Sequence, residues 1–242
     1  MLPPAYPTDH TGMSQKVHAA STVAMTLRNE EPYAALSIDS EKPSNRRERK
    51  YAKRKREILR ATAMVLAEQG YHGTSLDMIA ERLDMAKASL YYYFASKDVV
   101  IHECLATCAT YVANRLRKVA EEPNNPREKL QKLILEQLTI TTIDFPEISR
   151  LFLYPLDWNP DFAAEVRASQ NEHNQIFRGV IDEGLRKGEF SVADVTVATV
   201  CLHGAMNQVP RWLSGRRRLR PLREDLDLLA ATIMRLFVVP SA

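Results

Sequence analysis

Lys87, Ala88 and Ser89 stand just inside a short expected helix, and three consecutive tyrosines, Tyr91, Tyr92 and Tyr93, and then Lys97 follow. A lysine ammonium donates to guanine or to a phosphate, an alanine methyl permits close approach or touches a thymine methyl, and hydroxyls donate to phosphate oxygens. This set of residue types is nucleic-acid chemistry. For Lys87, a base contact and a phosphate contact stand as equal alternatives. Tyrosines about 100° apart on a helix cannot all be buried, and packing against the preceding long helix accounts for at least one of them. Leu90 and Phe94, four apart, belong to the core. Lys97 opens the next helix, where the helix dipole disfavours a cation, so a phosphate contact explains it better than stability does. Thr74 and Ser75 are expected to combine helix capping with phosphate contact. Upstream, the run Arg46, Arg47, Arg49, Lys50, Lys53, Arg54, Lys55, Arg56 is too long to be one helix face. Half of it reads as solvated surface and the rest, with Arg46, Lys50 and Arg54 as the contacts, as salt-dependent phosphate affinity.

The charge distribution agrees. Between Ser44 and Asp98 there are twelve Lys/Arg against seven Asp/Glu; elsewhere there are twenty-one against twenty-three. The net charge of +3 is therefore the sum of a basic module and a nearly neutral body. Three cysteines, Cys104, Cys108 and Cys201, are too few and too odd in number for a disulfide framework, and fit a reducing cytoplasm. Cys104 and Cys108, with His102 beside them, lack the further ligands of a zinc site and read as packed thiols. No nucleophile elbow, phosphate loop or pair of catalytic carboxylates is present, so the reading is non-enzymatic, without metal or cofactor. No apolar run reaches the roughly 20 residues of a membrane span, and the expected location is the cytoplasm.

Residues 1–43 read as a disordered arm interrupted by five prolines, with three basic and five acidic residues. A first helix is expected from Asn45 or Arg46 to Gln69, stopped by Gly70. Thr74 or Ser75 caps a second, whose Leu76, Ile79, Ala80 and Leu83 share one face. A turn at Asp84–Met85 leads to a third helix over 86–93. Ser96 caps a fourth, 97–121, and Asn125–Pro126 opens a fifth, 126–143. A short helix follows Pro146. Long ones are expected over 161–187, closed by Gly188, over 194–212, bent or ended near Pro210, and over 222–238. The sum is an all-α chain of about nine helices, divided as arm 1–43, DNA-binding unit 44–96, and helical body 97–242.

The stretch Gly70-Tyr-His-Gly-Thr-Ser-Leu-Asp-Met-Ile-Ala80, with Leu83 to Met85, Lys87-Ala-Ser-Leu-Tyr-Tyr-Tyr-Phe94 and Ser96-Lys97-Asp98, resembles the DNA-binding domain of the TetR family of bacterial regulators. The resemblance covers about residues 46–100. It implies a helix-turn-helix bound to double-stranded operator DNA, with Tyr91 beside the recognition helix and the Tyr92 and Tyr93 hydroxyls facing phosphates. One departure stands out: Asp84 occupies the turn position that usually carries glycine.

For the larger half, the resemblance implies a helical pocket for a small-molecule effector and pairing of the last two helices in a homodimer. Leu222, Leu226, Leu229, Ile233 and Leu236 step by 4, 3, 4, 3, a heptad seam, and Gly204 and Ala205 allow close helix approach. Tyr111, Phe145, Phe152, Phe162, Asn174 and Phe177 are the expected pocket lining. Arg216, Arg217, Arg218 and Arg220 read as a solvated loop, and His173 and His203 as structural. The segment Gly204–Trp212 resembles a feature of members that respond to fatty acyl or steroid-derived CoA thioesters. The expected function is a repressor released from its operator by such a ligand; the alternative is an activator, or a regulator whose ligand strengthens DNA binding.

Overall fold

The computed structural model describes residues 45–146, 160–214 and 221–237. The arm 1–43, the short helix expected after Pro146 and the arginines at 216–220 lie outside these. Among the described residues there are eight α-helices and no strand: α1 (Arg46–Gly73), α2 (Leu76–Arg82), α3 (Lys87–Tyr91), α4 (Lys97–Ala120), α5 (Pro126–Thr139), α6 (Pro160–Arg186), α7 (Val195–Ser214) and α8 (Leu222–Met234). The all-α expectation holds.

Local chemistry sets most of the boundaries. Asn45, Ser75, Ser96 and Asn125 each accept the backbone N–H three residues on, at 2.9, 3.2, 3.2 and 2.9 Å, which satisfies an orphan donor of the first turn. Pro126 fills the first helical position behind Asn125. Gly70 breaks α1 with φ 70°, and a last turn carries on to Gly73. Gly188 closes α6 in the left-handed region, φ 72°. Two elements differ from expectation. The fifth helix changes winding at Ile140, where a π-helical turn runs to Asp144; Thr139, Thr141 and Thr142 there donate their hydroxyls back to carbonyls of the preceding turn. Helix α7 runs through Pro210 to Ser214, two residues past the expected end at 212.

One continuous core joins the helices, with Ile58, Leu66, Leu90, Phe94, Ile101, Leu116, Leu133, Phe145, Phe177, Leu202, Leu226 and Phe237 all buried. Helix α4 is its axle: it packs on α1, α5 and α6. The α6 side is tight. A Cβ on Gly184 would lie 2.1 Å from the Phe190 ring, so only glycine admits that ring, which closes over the end of α6 beside Phe237.

The seam of α8 faces inward. Leu226 and Ile233 are buried within the protomer, where α8 lies on α5, and Leu222 and Leu229 are half-buried. They are thus core residues of one chain, not a free seam. Leu236, the last residue of the seam, lies just beyond α8 and is exposed, and so are Leu228 on α8 and Val197, Val200, Cys201 and Gly204 on α7, which give an outward stripe.

Candidate nucleic-acid interface and effector groove

Helices α2 and α3 are joined by a turn in which Asp84 adopts φ 49°. Asp84 N–H donates to Glu81 O at 3.1 Å and Met85 N–H to Ala80 O at 3.0 Å, the paired reversed bonds of a Schellman ending. Aspartate therefore takes the left-handed position that the resemblance would fill with glycine. Arg82 pins the unit to α1 through both oxygens of Glu68, at 3.0 and 2.7 Å. Lys55 of α1 reaches Glu103 of α4 at 2.5 Å and lies over the Phe94 ring.

On this support α3 presents Lys87, Ala88, Ser89, Tyr91 and Tyr92 to solvent, with Leu90 and Phe94 buried beneath. The three tyrosines are sorted as their 100° steps require: Tyr93 stacks on Tyr51 of α1 at 5.0 Å, whereas Tyr91 and Tyr92 are 50% and 64% exposed. Arg46, Arg47 and Lys50 are exposed, but Arg54 is held by Glu57 at 2.7 Å. Lys97 lies over the Tyr71 ring at 4.6 Å, and the Tyr71 hydroxyl donates to Asp98 at 2.6 Å. Two expected contacts change. Thr74 is buried and donates its hydroxyl to Gly70 O at 2.7 Å, so it closes α1 rather than meeting a phosphate. Lys87 is bound to Asp77 of α2 at 2.7 Å, a bond that raises its pKa and that no local pattern had indicated.

In the body, Arg115 of α4 is a junction. Its guanidinium donates to Glu136 of α5, to Asp144 of the π turn, and at 2.7 Å to the Tyr111 hydroxyl. Tyr111 meets Phe145 edge to face at 4.9 Å. Burial raises the Tyr111 pKa, the Arg115 bond opposing it. Phe145 and Phe177 are fully buried core; Phe152 and the Phe162 side chain lie outside the described residues. Asn174 is exposed, not set in an apolar face. It lines a groove of about 310 Å³ between α6 and α7, together with Asn171, Gln175, Arg178, Thr196, Thr199, Val200 and His203. Of the expected pocket residues whose side chains are described, Asn174 alone reaches that groove. Arg115, Gln137 and His203 were missed as a set because their partners Glu136, Asp144 and His173 lie 21 to 36 residues away in sequence, beyond any helical period. Cys104 and Cys108 are buried, Cys104 donating to Leu59 O at 3.4 Å. Among the described residues no three His, Cys, Asp or Glu are placed to hold a metal, and no helix is long and apolar enough to cross a membrane.

A recognition helix carried on a helix-turn-helix, with basic residues around it and a helical body behind, defines a DNA-binding transcriptional regulator. The comparisons give the family. Residues 58–104 match the model of the bacterial regulatory proteins of the tetR family, and residues 123–222 match a tetracyclin repressor-like C-terminal domain. The chain belongs to the TetR family, whose members are regulators and not enzymes. It is 23% identical over 184 residues to a fatty acid metabolism regulator protein of Bacillus subtilis, covering 75% of this chain and 92% of that one. It is 33% identical over 82 residues to the repressor KstR2 of Mycobacterium tuberculosis, 34% of this chain and 41% of that protein. The solved structure of KstR2, a ketosteroid transcriptional regulator, aligns with TM-score 0.62 at 21% identity, over 77% and 96% of the two chains. The regulator FadR of Bacillus subtilis in complex with stearoyl-CoA aligns with TM-score 0.60 at 22% identity, over 74% and 95%.

Proposed function

We propose that this regulator is a homodimeric repressor that leaves its operator when a fatty acyl or steroid-derived CoA thioester binds its helical body. The observation that carries the reading is the continuity of α4. It starts at Lys97, five residues after the end of α3 falls to a turn at Tyr92, and runs 24 residues, about 36 Å, with the Arg115 junction about 27 Å along it. A tilt at the Arg115 end would therefore displace the recognition helix. In a dimer the two recognition helices must stand about 34 Å apart to meet successive major grooves, so a small tilt lowers affinity. On this reading residues 44–96 contact DNA, residues 97–242 bind effector and partner, and residues 1–43 are an arm. The exposed stripe of α7 and α8 supports pairing: Val197, Val200, Leu228 and Leu236 are large apolar side chains with 46% to 66% of their surface open, and Gly204 between them has open space at its Cβ. The CoA thioester class is supported by the relatives: one is a fatty acid metabolism regulator, one a ketosteroid regulator, and one holds stearoyl-CoA.

The test is selection of bound sequences from random duplex DNA, followed by titration of the complex with stearoyl-CoA. A two-half-site operator and a fall in affinity of roughly 5- to 150-fold, the usual span of allosteric coupling, are expected. Selection of no common sequence, or an operator complex tightened by the thioester, would overturn the repressor reading.

A further inference from the structure

The buried stripe of α1 begins at Ile58, so Tyr51, seven residues earlier and 36% exposed, lies off the core. Its ring is nevertheless engaged twice. Tyr93 stacks on it at 5.0 Å with 26° between the planes, and Tyr92 meets it edge-on at 6.0 Å and 80°. Tyr92 also stands edge-on to Tyr93, at 5.1 Å and 90°. The three rings close a triangle, each pair at a separation that aromatic quadrupoles favour. Two of them come from consecutive residues at the end of α3, which has five residues and no side-chain cap at Ala86. A helix so short does not hold itself, and its direction is set by what its side chains touch. Leu90 and Phe94 seat it on the core, and the Tyr93–Tyr51 stack ties its end to α1. Tyr92 differs from both neighbours in the cluster. It closes α3 in helical geometry and rests on two rings, yet keeps 64% of its surface open.

We propose that Tyr51 is a positioning residue for DNA binding: by direct contact and through Tyr93 it holds the Tyr92 ring in the bearing from which the Tyr92 hydroxyl donates to a backbone phosphate. The inference rests on the DNA-contact reading of α3 and adds to it a residue of α1 that carries no charge and need not touch DNA. Phosphate, not base, is the target because the first residues of a recognition helix read base edges, whereas Tyr92 stands past the last residue of α3. A hydroxyl there meets the backbone, which positions the protein without reading sequence. Ordering an exposed side chain on binding counts against affinity, and a ring already held by two neighbours has lost part of that freedom beforehand. What Tyr51 contributes is its flat ring. Phenylalanine would serve equally, whereas an aliphatic side chain would leave Tyr92 free to turn.

Fluorescence anisotropy of the full chain, on the operator recovered by the selection above and on a random-sequence duplex of the same length, reads the effect. Tyr51→Leu is expected to weaken both complexes by roughly two- to tenfold, the equivalent of one lost aromatic pair. The salt slope should not change, because no cation leaves the interface. Tyr51→Phe should bind as the wild type does. The deciding measurement is a double-mutant cycle. Tyr92→Phe keeps the ring and removes the hydroxyl, so in that background Tyr51→Leu should cost nothing more. A full, additive loss there would show that Tyr51 supports α3 as a whole, and would overturn the proposal. So would a changed base preference in Tyr51→Leu, since a reoriented α3 alters what Lys87 and Ser89 meet. Tyr92→Phe with wild-type affinity overturns it as well, because no hydroxyl is then being positioned, and leaves operator binding intact. Should Tyr51→Leu lose helical circular dichroism, the same cycle is read with Tyr51→Gln. A wild-type chain that selects no operator overturns the underlying DNA-contact reading instead.

Discussion

Substitution of Asp84 tests the turn on which the recognition helix hangs. At φ 49° a side chain other than glycine, asparagine or aspartate costs about 1–2 kcal/mol, and aspartate recovers part of that through its short polar side chain. Asp84→Gly removes the remaining strain but enlarges the freedom of the unfolded chain, which takes back about 0.4–1 kcal/mol. The net gain is about 0.5 kcal/mol. Asp84→Ala keeps the strain and loses the polar compensation, and should cost about 0.5–1 kcal/mol. Asp84→Asn should be neutral. Urea unfolding at a fixed protomer concentration reads the order Gly, then Asn and Asp, then Ala, with the denaturant slope unchanged. The same variants separate charge from backbone. Asp84 is exposed ahead of α3, so loss of its carboxylate should strengthen DNA binding in all three, and added salt should erase the gain. An alanine variant as stable as the glycine variant would refute the left-handed argument.

Four further outcomes follow from the structure. The unfolded chain binds a proton at His203 near pH 6.5 that the folded chain, lowered to about 4, refuses; stability is full above pH 6.5 and falls as pH drops towards 4, by at most about 3 kcal/mol, and His203→Leu should flatten that dependence in pH-resolved melting. Gly184→Ala sets a Cβ against the Phe190 ring and should cost about 1–3 kcal/mol, with partial recovery on adding Phe190→Leu. Val200→Asp with Leu228→Asp should yield a folded monomer in sedimentation, whereas Leu226→Asp should lose helical circular dichroism, because only the first pair is exposed. Lys97→Ala should lower the salt slope of DNA binding by about one for every sequence, and Lys87→Ala should relax specificity at one position; equal effects of the two would show that α3 does not read bases.

What could be read from the sequence was the chemistry contained within four residues. Caps at Ser75, Ser96 and Asn125, the stops at Gly70 and Gly188, and the left-handed turn at Asp84 are each written where they act. The same holds for the exposed face of α3, since Leu90 and Phe94 define its inner side. Spacing shows that a helix has an apolar stripe, but not what covers it. Leu226 and Ile233 obey a heptad, yet their partner is α5 of the same chain. Asn174 was expected beside Phe177 in one pocket lining, but it is exposed while Phe177, three residues on, is buried. The bonds from Arg115 to Glu136 and Asp144, and from Lys87 to Asp77, unite residues on different elements, and only the packing of the core decides that they meet.

The Lys87–Asp77 bond bears on how sharply the proposed base contact can discriminate. A cation that leaves solvent for a wrong base is ordinarily stranded, and that stranding is much of the penalty. Here the ammonium has a resident partner 2.7 Å away on an adjacent helix, about half to two-thirds exposed. On a mismatched site Lys87 can stay with Asp77, and the loss is the difference between two charged hydrogen bonds. The penalty for a wrong base at that position should then fall near the low end of the roughly 1–3 kcal/mol typical of a good base contact. Asp77→Ala removes the resident partner. It should tighten the correct complex and widen the gap to the mismatched one, making a more stringent reader of the same operator.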